Sequence, residues 1–282
     1  MESAKGLVPG SAAIPVRKQR SSTRWIRWLT IASFFLIWQF GAMANQHWRF
    51  FNPEFLPPPT ESIRTGYEML VAGELPRHMV ASFLRLVVGF SLGTSAAVVV
   101  GILTTRSKLV ESVIEPLVNL VGPIPPFAFL PLFIIWFGVG EKSKITLITY
   151  TTFLPMLAYT VDGLKSVNPV LIRSALSLGA SEAQVFRRVI LMSALPNIFV
   201  GMRVSAALAF GGLVIAEMIG ASAGLGYIII DARNYFRIDR MFLAAALIGI
   251  EYTIFTAFLS QLEARVLSWR KGGLEHAIEK RR

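Results

Sequence analysis

The sequence predicts an all-α integral membrane protein with six transmembrane helices. Three observations carry that expectation. Of the 282 residues, 54% are hydrophobic and only 16% charged, and the mean hydropathy of +0.56 departs from the balance of a soluble domain. The apolar residues gather into six runs of roughly 20, the length that about 30 Å of hydrocarbon demands. Lys and Arg crowd the loops on one side of those runs and thin out on the other.

Taken in order, residues 1–24 form a basic tail, residues 25–265 the transmembrane domain, and residues 266–282 a second basic tail. The first span runs from Trp28 to Ala44. A basic start and Ala42-Met43-Ala44 also fit a cleaved signal peptide, but Trp25, Trp28, Trp38 and Trp48 suit the interfacial belt of a retained span. A proline turn and a short amphipathic helix after Thr60 precede the second span, Met79 to Leu103. The third, Leu120 to Gly138, contains Pro123, Pro125, Pro126 and Pro131. Proline removes a donor and clashes with the preceding turn, so this segment cannot be a straight helix; it reads as a broken helix beside a pathway, since such backbone survives at membrane depth beside protein or a water-filled path, or as an ordinary kinked span. Ile145 to Val161, Pro196 to Ile219 and Met241 to Leu262 complete the set.

With the N-terminus placed in the cytoplasm, the inner segments hold eighteen Lys and Arg and the outer segments eight. That asymmetry accounts for the net charge of +11 without nucleic acid. Four charges fall within spans: Arg85, Arg203, Glu217 and Glu251. Charges at such depth are costly and face the bundle interior, where they pair or line a pathway. Arg85 and Glu217 match in depth. With Pro125, Pro126, Phe127 and Trp136 of the broken span, these four charges are the candidate pathway residues.

Cysteine is absent and the three His are far apart, so no thiolate or His metal site is expected. No nucleophile cluster and no G-x-x-x-x-G-K-[ST] loop occurs, so the chain is expected to be no enzyme and to bind no ATP itself.

Residues 163–195 are different in kind. Asn168-Pro169 is a helix cap followed by proline at the first helical position. The helix runs to Leu178 and meets Gly179, the residue type favoured just past a helix end. Ser181 and Gln184 form a capping box for a second short helix, and Pro196 marks the next span. Leu171, Ala175, Leu178, Phe186, Val189 and Ile190 recur at helical spacing and need cover. A helix lying in the membrane interface and a DNA-reading helix-turn-helix are the competing readings.

Here "ALSLGASEAQVFRRVIL" and "ALPNIFVGMR" resemble the cytoplasmic loop motif of permeases of binding-protein-dependent ABC importers. The Ala-Ala-Gly part of that motif falls on Ser174, Ala175 and Gly179, and its aliphatic position on Val189. The family's Glu position is Arg173 and its Pro position is Met192, which puts the usual Glu contact to the ATPase in doubt. "FLPPPTESI", "HMVASFLRLVVGFSLG", "PIPPFAFLPLFIIWFGVGEKSKI" and "AEMIGASAGLGYIIIDARN" are similar to the nitrate, sulfonate and taurine branch over roughly residues 55–265.

The resemblance implies a type I importer permease of a bacterial inner membrane, with both termini cytoplasmic. It implies a second permease copy, two cytoplasmic ATPase subunits that bind the ATP and Mg, and a periplasmic substrate-binding protein. The cargo would be a small anion, taurine or another sulfonate, or nitrate. The ATPase-coupling loop would comprise Leu171, Arg173, Ser174, Ala175, Leu178, Gly179, Ala180, Ser181 and Gln184. An ATP-independent channel or membrane scaffold is the alternative of a different class.

Overall fold

A computed structural model describes residues 22–269, and every regular element among them is helical. The chain divides into two compact units, residues 1–60 and residues 61–282.

In the first unit, α1 (Ser22–Trp48) carries the first apolar run, with Trp25, Ile37 and Phe40 exposed. Its far end holds the proline turn by side-chain bonds. The Trp38 indole donates to the Pro57 carbonyl (3.1 Å), the Gln39 amide oxygen accepts from the Thr60 N–H (3.3 Å), and Asn45 Oδ1 accepts from the Phe51 N–H (3.1 Å). Prolines supply no N–H, so the turn takes its bonds through carbonyls and flanking residues.

The second unit is organised about α6 (Glu141–Lys165), which packs between α3 (Glu74–Arg106) and α9 (Leu191–Gly220). Lipid is as apolar as leucine, so helices here associate through close packing rather than water exclusion. Small residues make that closeness possible. On α3, Gly89, Gly93, Ala97 and Gly101 recur every fourth residue and form one stripe. A Cβ at Gly93 would lie 2.6 Å from the Thr149 carbonyl oxygen, and one at Gly101 2.7 Å from Thr160 Cγ2. On α9, a Cβ at Gly212 would lie 2.8 Å from Thr151 Oγ1.

The six expected spans map unevenly onto the helices. Three lie within α1, α3 and α11 (Ile238–Val266), which are long and apolar enough to cross a membrane. The third expected span is not one helix. Its first two residues end α4 (Lys108–Val121), and the rest runs through a corner into a piece from Pro126 to Phe137, which contains α5 (Leu130–Phe137) and is bent by 93° from α4. Pro123, Pro125 and Pro126 forbid the continuous ladder across that corner. The fourth lies in α6, whose composition falls short of a span by hydropathy. Its five threonines dilute the apolar run, together with Tyr150, Tyr159, Pro155 and the charges at both ends, and each threonine hydroxyl donates to a backbone carbonyl, four within α6 and Thr149 across to Gly89 at 3.2 Å. The described residues therefore contain four spanning helices by length and composition, or five if the bent pair is one span.

The fifth span begins earlier than expected. α8 (Glu182–Val185), a π-turn at Phe186–Ile190 and α9 run on as one 39-residue helix, Glu182–Gly220. Pro196 does not break it; proline is tolerated within membrane helices because neighbouring groups satisfy the freed carbonyls. The helix pair expected at residues 168–195 is thus α7 (Pro169–Ser177) followed by the first turns of a spanning helix. Two shorter helices complete the unit, α2 (Pro59–Val71) and α10 (Leu225–Asn234).

Candidate functional site

Two structured regions sit at opposite ends of the Glu182–Gly220 helix. At one end is the hairpin of α7 and α8. Asn168 Oδ1 accepts from the Val170 N–H (2.9 Å), and Pro169 takes the first helical position, where no N–H is needed. At the other end of α7, the Ala180 N–H reaches the Ala175 carbonyl (3.1 Å) and the Gly179 N–H the Leu176 carbonyl (2.9 Å). These two bonds are a Schellman motif, which requires a left-handed residue at its corner. Gly179, at φ +83°, supplies it. The Ser181 N–H then donates to Gln184 Oε1 (2.9 Å) while Ser181 Oγ accepts from the Gln184 N–H (3.4 Å), which starts α8.

The expected coupling residues are therefore gathered at one corner. Leu178 is 88% exposed at its tip, and Leu171 and Arg173 are exposed beside it. Ser174, Ser181 and Gln184 are exposed too, while Ala175 and Ala180 are half-buried. Val185 is buried. Of the residues expected to need cover, Phe186, Val189 and Ile190 find it in part, and Leu171 and Leu178 do not. At the foot of the hairpin Lys165 pairs with Glu111 of α4, whose hydrogen bond raises the lysine pKa.

At the other end lies an ionic cluster in which Arg85, Glu217 and Lys144 are buried and Glu141 is exposed. The Arg85 guanidinium donates from Nη1 to Glu217 Oε1 (2.7 Å) and to the Ala223 carbonyl (2.5 Å). From Nε and Nη2 it grips both oxygens of Glu141 (2.6 and 2.8 Å). Lys144 Nζ donates to the same carboxylate (3.2 Å). Glu217, 1% exposed, also accepts from Ser82 Oγ (2.8 and 2.9 Å) and from the Gly226 N–H (2.9 Å). Ser82 Oγ in turn accepts from the Leu225 N–H (2.8 Å). Glu217 therefore meets the N-terminus of α10, where helix N–H groups favour negative charge. Gly224, at φ +137°, leaves no room for a Cβ, which would fall on the Glu217 carboxylate. The cluster joins α3, α6, α9 and the turn before α10, and every charge in it is bonded to its opposite.

The other expected pathway residues are not part of it. Arg203 pairs with Glu263 of α11 (2.6 Å). Glu251 is buried, and its Oε2 has no hydrogen-bond partner. Pro125, Pro126 and Phe127 lie at the corner between α4 and α5 and Trp136 near the far end of α5, with Phe127 and Trp136 exposed. Sequence reasoning missed Ser82, Glu141 and Lys144. Glu141 and Lys144 read as ordinary loop charges before a span, and only the meeting of α3 with α6 shows their role. No group of three or more His, Asp or Glu among the described residues is placed to hold a metal ion.

Comparison with known proteins agrees with this architecture. Residues 80–268 match the model of the family described as "binding-protein-dependent transport system inner membrane component". A putative aliphatic sulfonates transport permease protein, SsuC of Bacillus subtilis, is 34% identical over 271 residues, covering 95% of this chain and 96% of its own. The taurine transport system permease protein TauC of Escherichia coli is 37% identical, covering 77% and 81%. Among solved structures, the inward-facing MetNI methionine ABC transporter shares the fold with a TM-score of 0.61 at 19% identity, covering 70% of this chain and 97% of that one. The chain is a member of the binding-protein-dependent transport system inner membrane component family, and so an integral membrane permease of an ABC importer.

Proposed function

We propose that this permease carries taurine or another small aliphatic sulfonate into a bacterial cytoplasm, with nitrate as the second substrate class. The names of the SsuC and TauC relatives support the sulfonate. In this reading six spans cross the membrane, α6 and the bent α4–α5 pair included, with both termini inside. Two copies surround one path, two ATPase subunits bind ATP and Mg on the inner face, and a periplasmic binding protein delivers the anion.

The observation that carries the reading is the unbroken Glu182–Gly220 helix. At about 1.5 Å per residue it is roughly 58 Å long, about twice the hydrocarbon thickness. Its first turns and α7 therefore project inward as an arm, capped at both joints and tipped by the exposed Leu178. Its far end carries Glu217, locked to Arg85. A push on the arm when the ATPases close is delivered along one rod to the cluster joining α3, α6 and α10. Opening of that cluster re-aims the helices, and ATP hydrolysis resets them.

Reconstitution in vesicles with the ATPase and binding protein tests the function. ATP-dependent uptake of taurine or an alkanesulfonate in preference to nitrate is expected. Uptake independent of ATP contradicts the importer reading, and preference for nitrate contradicts the substrate.

A further inference from the structure

We propose that Arg106 is a positioning residue that ties α3 to the coupling arm through the ring of Phe186, and so makes the arm drive two helices instead of one. The inference rests on the coupling reading above.

Arg106 is the last residue of α3, and its guanidinium carbon lies 4.7 Å from the Phe186 ring centroid. That is cation–π range. Phe186 opens the π-turn in the long helix: its carbonyl accepts from the Leu191 N–H, five residues on. A π-turn holds one residue more than an α-turn and is a place where a helix can change register or bend, and such turns collect at functional positions. Without a brace, the turn lies where a push on the arm is absorbed as bending. Arg106 reaches it from a different helix. α3 also carries Ser82 and Arg85, which hold Glu217 at the far end of the same rod. The two helices are thus fastened at both ends, by a buried ionic cluster at one and by a cation over a ring at the other. Lys165 with Glu111 makes a comparable tie from α6 to α4 at the arm's other foot.

The test uses the complete transporter in vesicles and reads ATP hydrolysed per taurine delivered, together with the yield of assembled complex. Arg106→Met removes the charge and keeps the stem; Arg106→Lys keeps a cation; Phe186→Leu removes the ring and Phe186→Tyr retains it. Arg106→Met and Phe186→Leu should each raise ATP spent per substrate about two- to fivefold, the scale of one exposed cation–π contact, with assembly unchanged. Lys and Tyr should stay near the parent, and Arg106→Met with Phe186→Leu should cost no more than either alone. An unchanged ratio in Arg106→Met, a Lys variant as poor as Met, or losses that multiply would overturn the proposal. If Arg106→Met fails to assemble, a fully coupled Phe186→Leu overturns it equally. A parent protein whose uptake ignores ATP defeats the coupling reading itself, whereas a coupled parent with an indifferent Arg106 defeats only this brace.

Discussion

Arg85 binds Glu217 and Glu141 at once, and Glu217 has no solvent to fall back on. Removing one partner of such a buried pair leaves a lone charge and costs about 3–5 kcal/mol. Arg85→Met strands Glu217, whereas Glu217→Gln leaves Arg85 on Glu141, so Arg85→Met alone should lower the yield of folded protein in membranes more than Arg85→Met with Glu217→Gln does; strictly additive losses count against the pairing. The sequence showed that Arg85 and Glu217 match in depth, but Glu141 lies 56 residues from Arg85, and no local pattern joins them. Gly179 was legible, because a glycine between two capped helices has one common use. Its left-handed φ with open space around it makes the expectation sharp. Gly179→Val should cost roughly 1 kcal/mol or more through backbone strain alone. Gly179→Asn, which tolerates that conformation, should cost less. Uptake in whole cells, normalised to membrane-inserted protein, separates the two, and equal activity would refute the strain argument.

The elements were legible where hydropathy and caps spoke for themselves, in α1, α3, α7 and α11. They were hidden where packing overrules composition. α6 reads as a poor span because threonines dilute it, yet it lies at the centre of the second unit, where their hydroxyls are satisfied by carbonyls. Pro196 reads as the start of a helix and lies inside one. The α3 stripe gives the element-scale prediction. Gly93→Val places atoms on the Thr149 carbonyl and should destabilise by about 1–3 kcal/mol through overpacking. Gly211→Ala, with nothing within 4 Å of its Cβ position, should be neutral or stabilise by up to about 1 kcal/mol. Thermal unfolding in detergent distinguishes them, and equal shifts would remove the close-packing account of the α3–α6 seam.

At the scale of the molecule, a permease needs no reactive group of its own; it needs stiffness between a site of force and a site of opening. In the proposed mechanism the helix from Glu182 to Gly220 would supply that stiffness, the Schellman corner at Gly179 would aim the arm, and the Arg85 cluster would receive the motion. The central claim is that the corner docks into an ATPase and moves with its nucleotide state. The chain has no cysteine, so Ser181→Cys, exposed at that corner, is a single reporter. Paired with a cysteine placed in the ATPase groove, it should cross-link, and ATP should change the yield relative to the nucleotide-free complex. No cross-link in any nucleotide state, in a complex that still transports, would contradict the account.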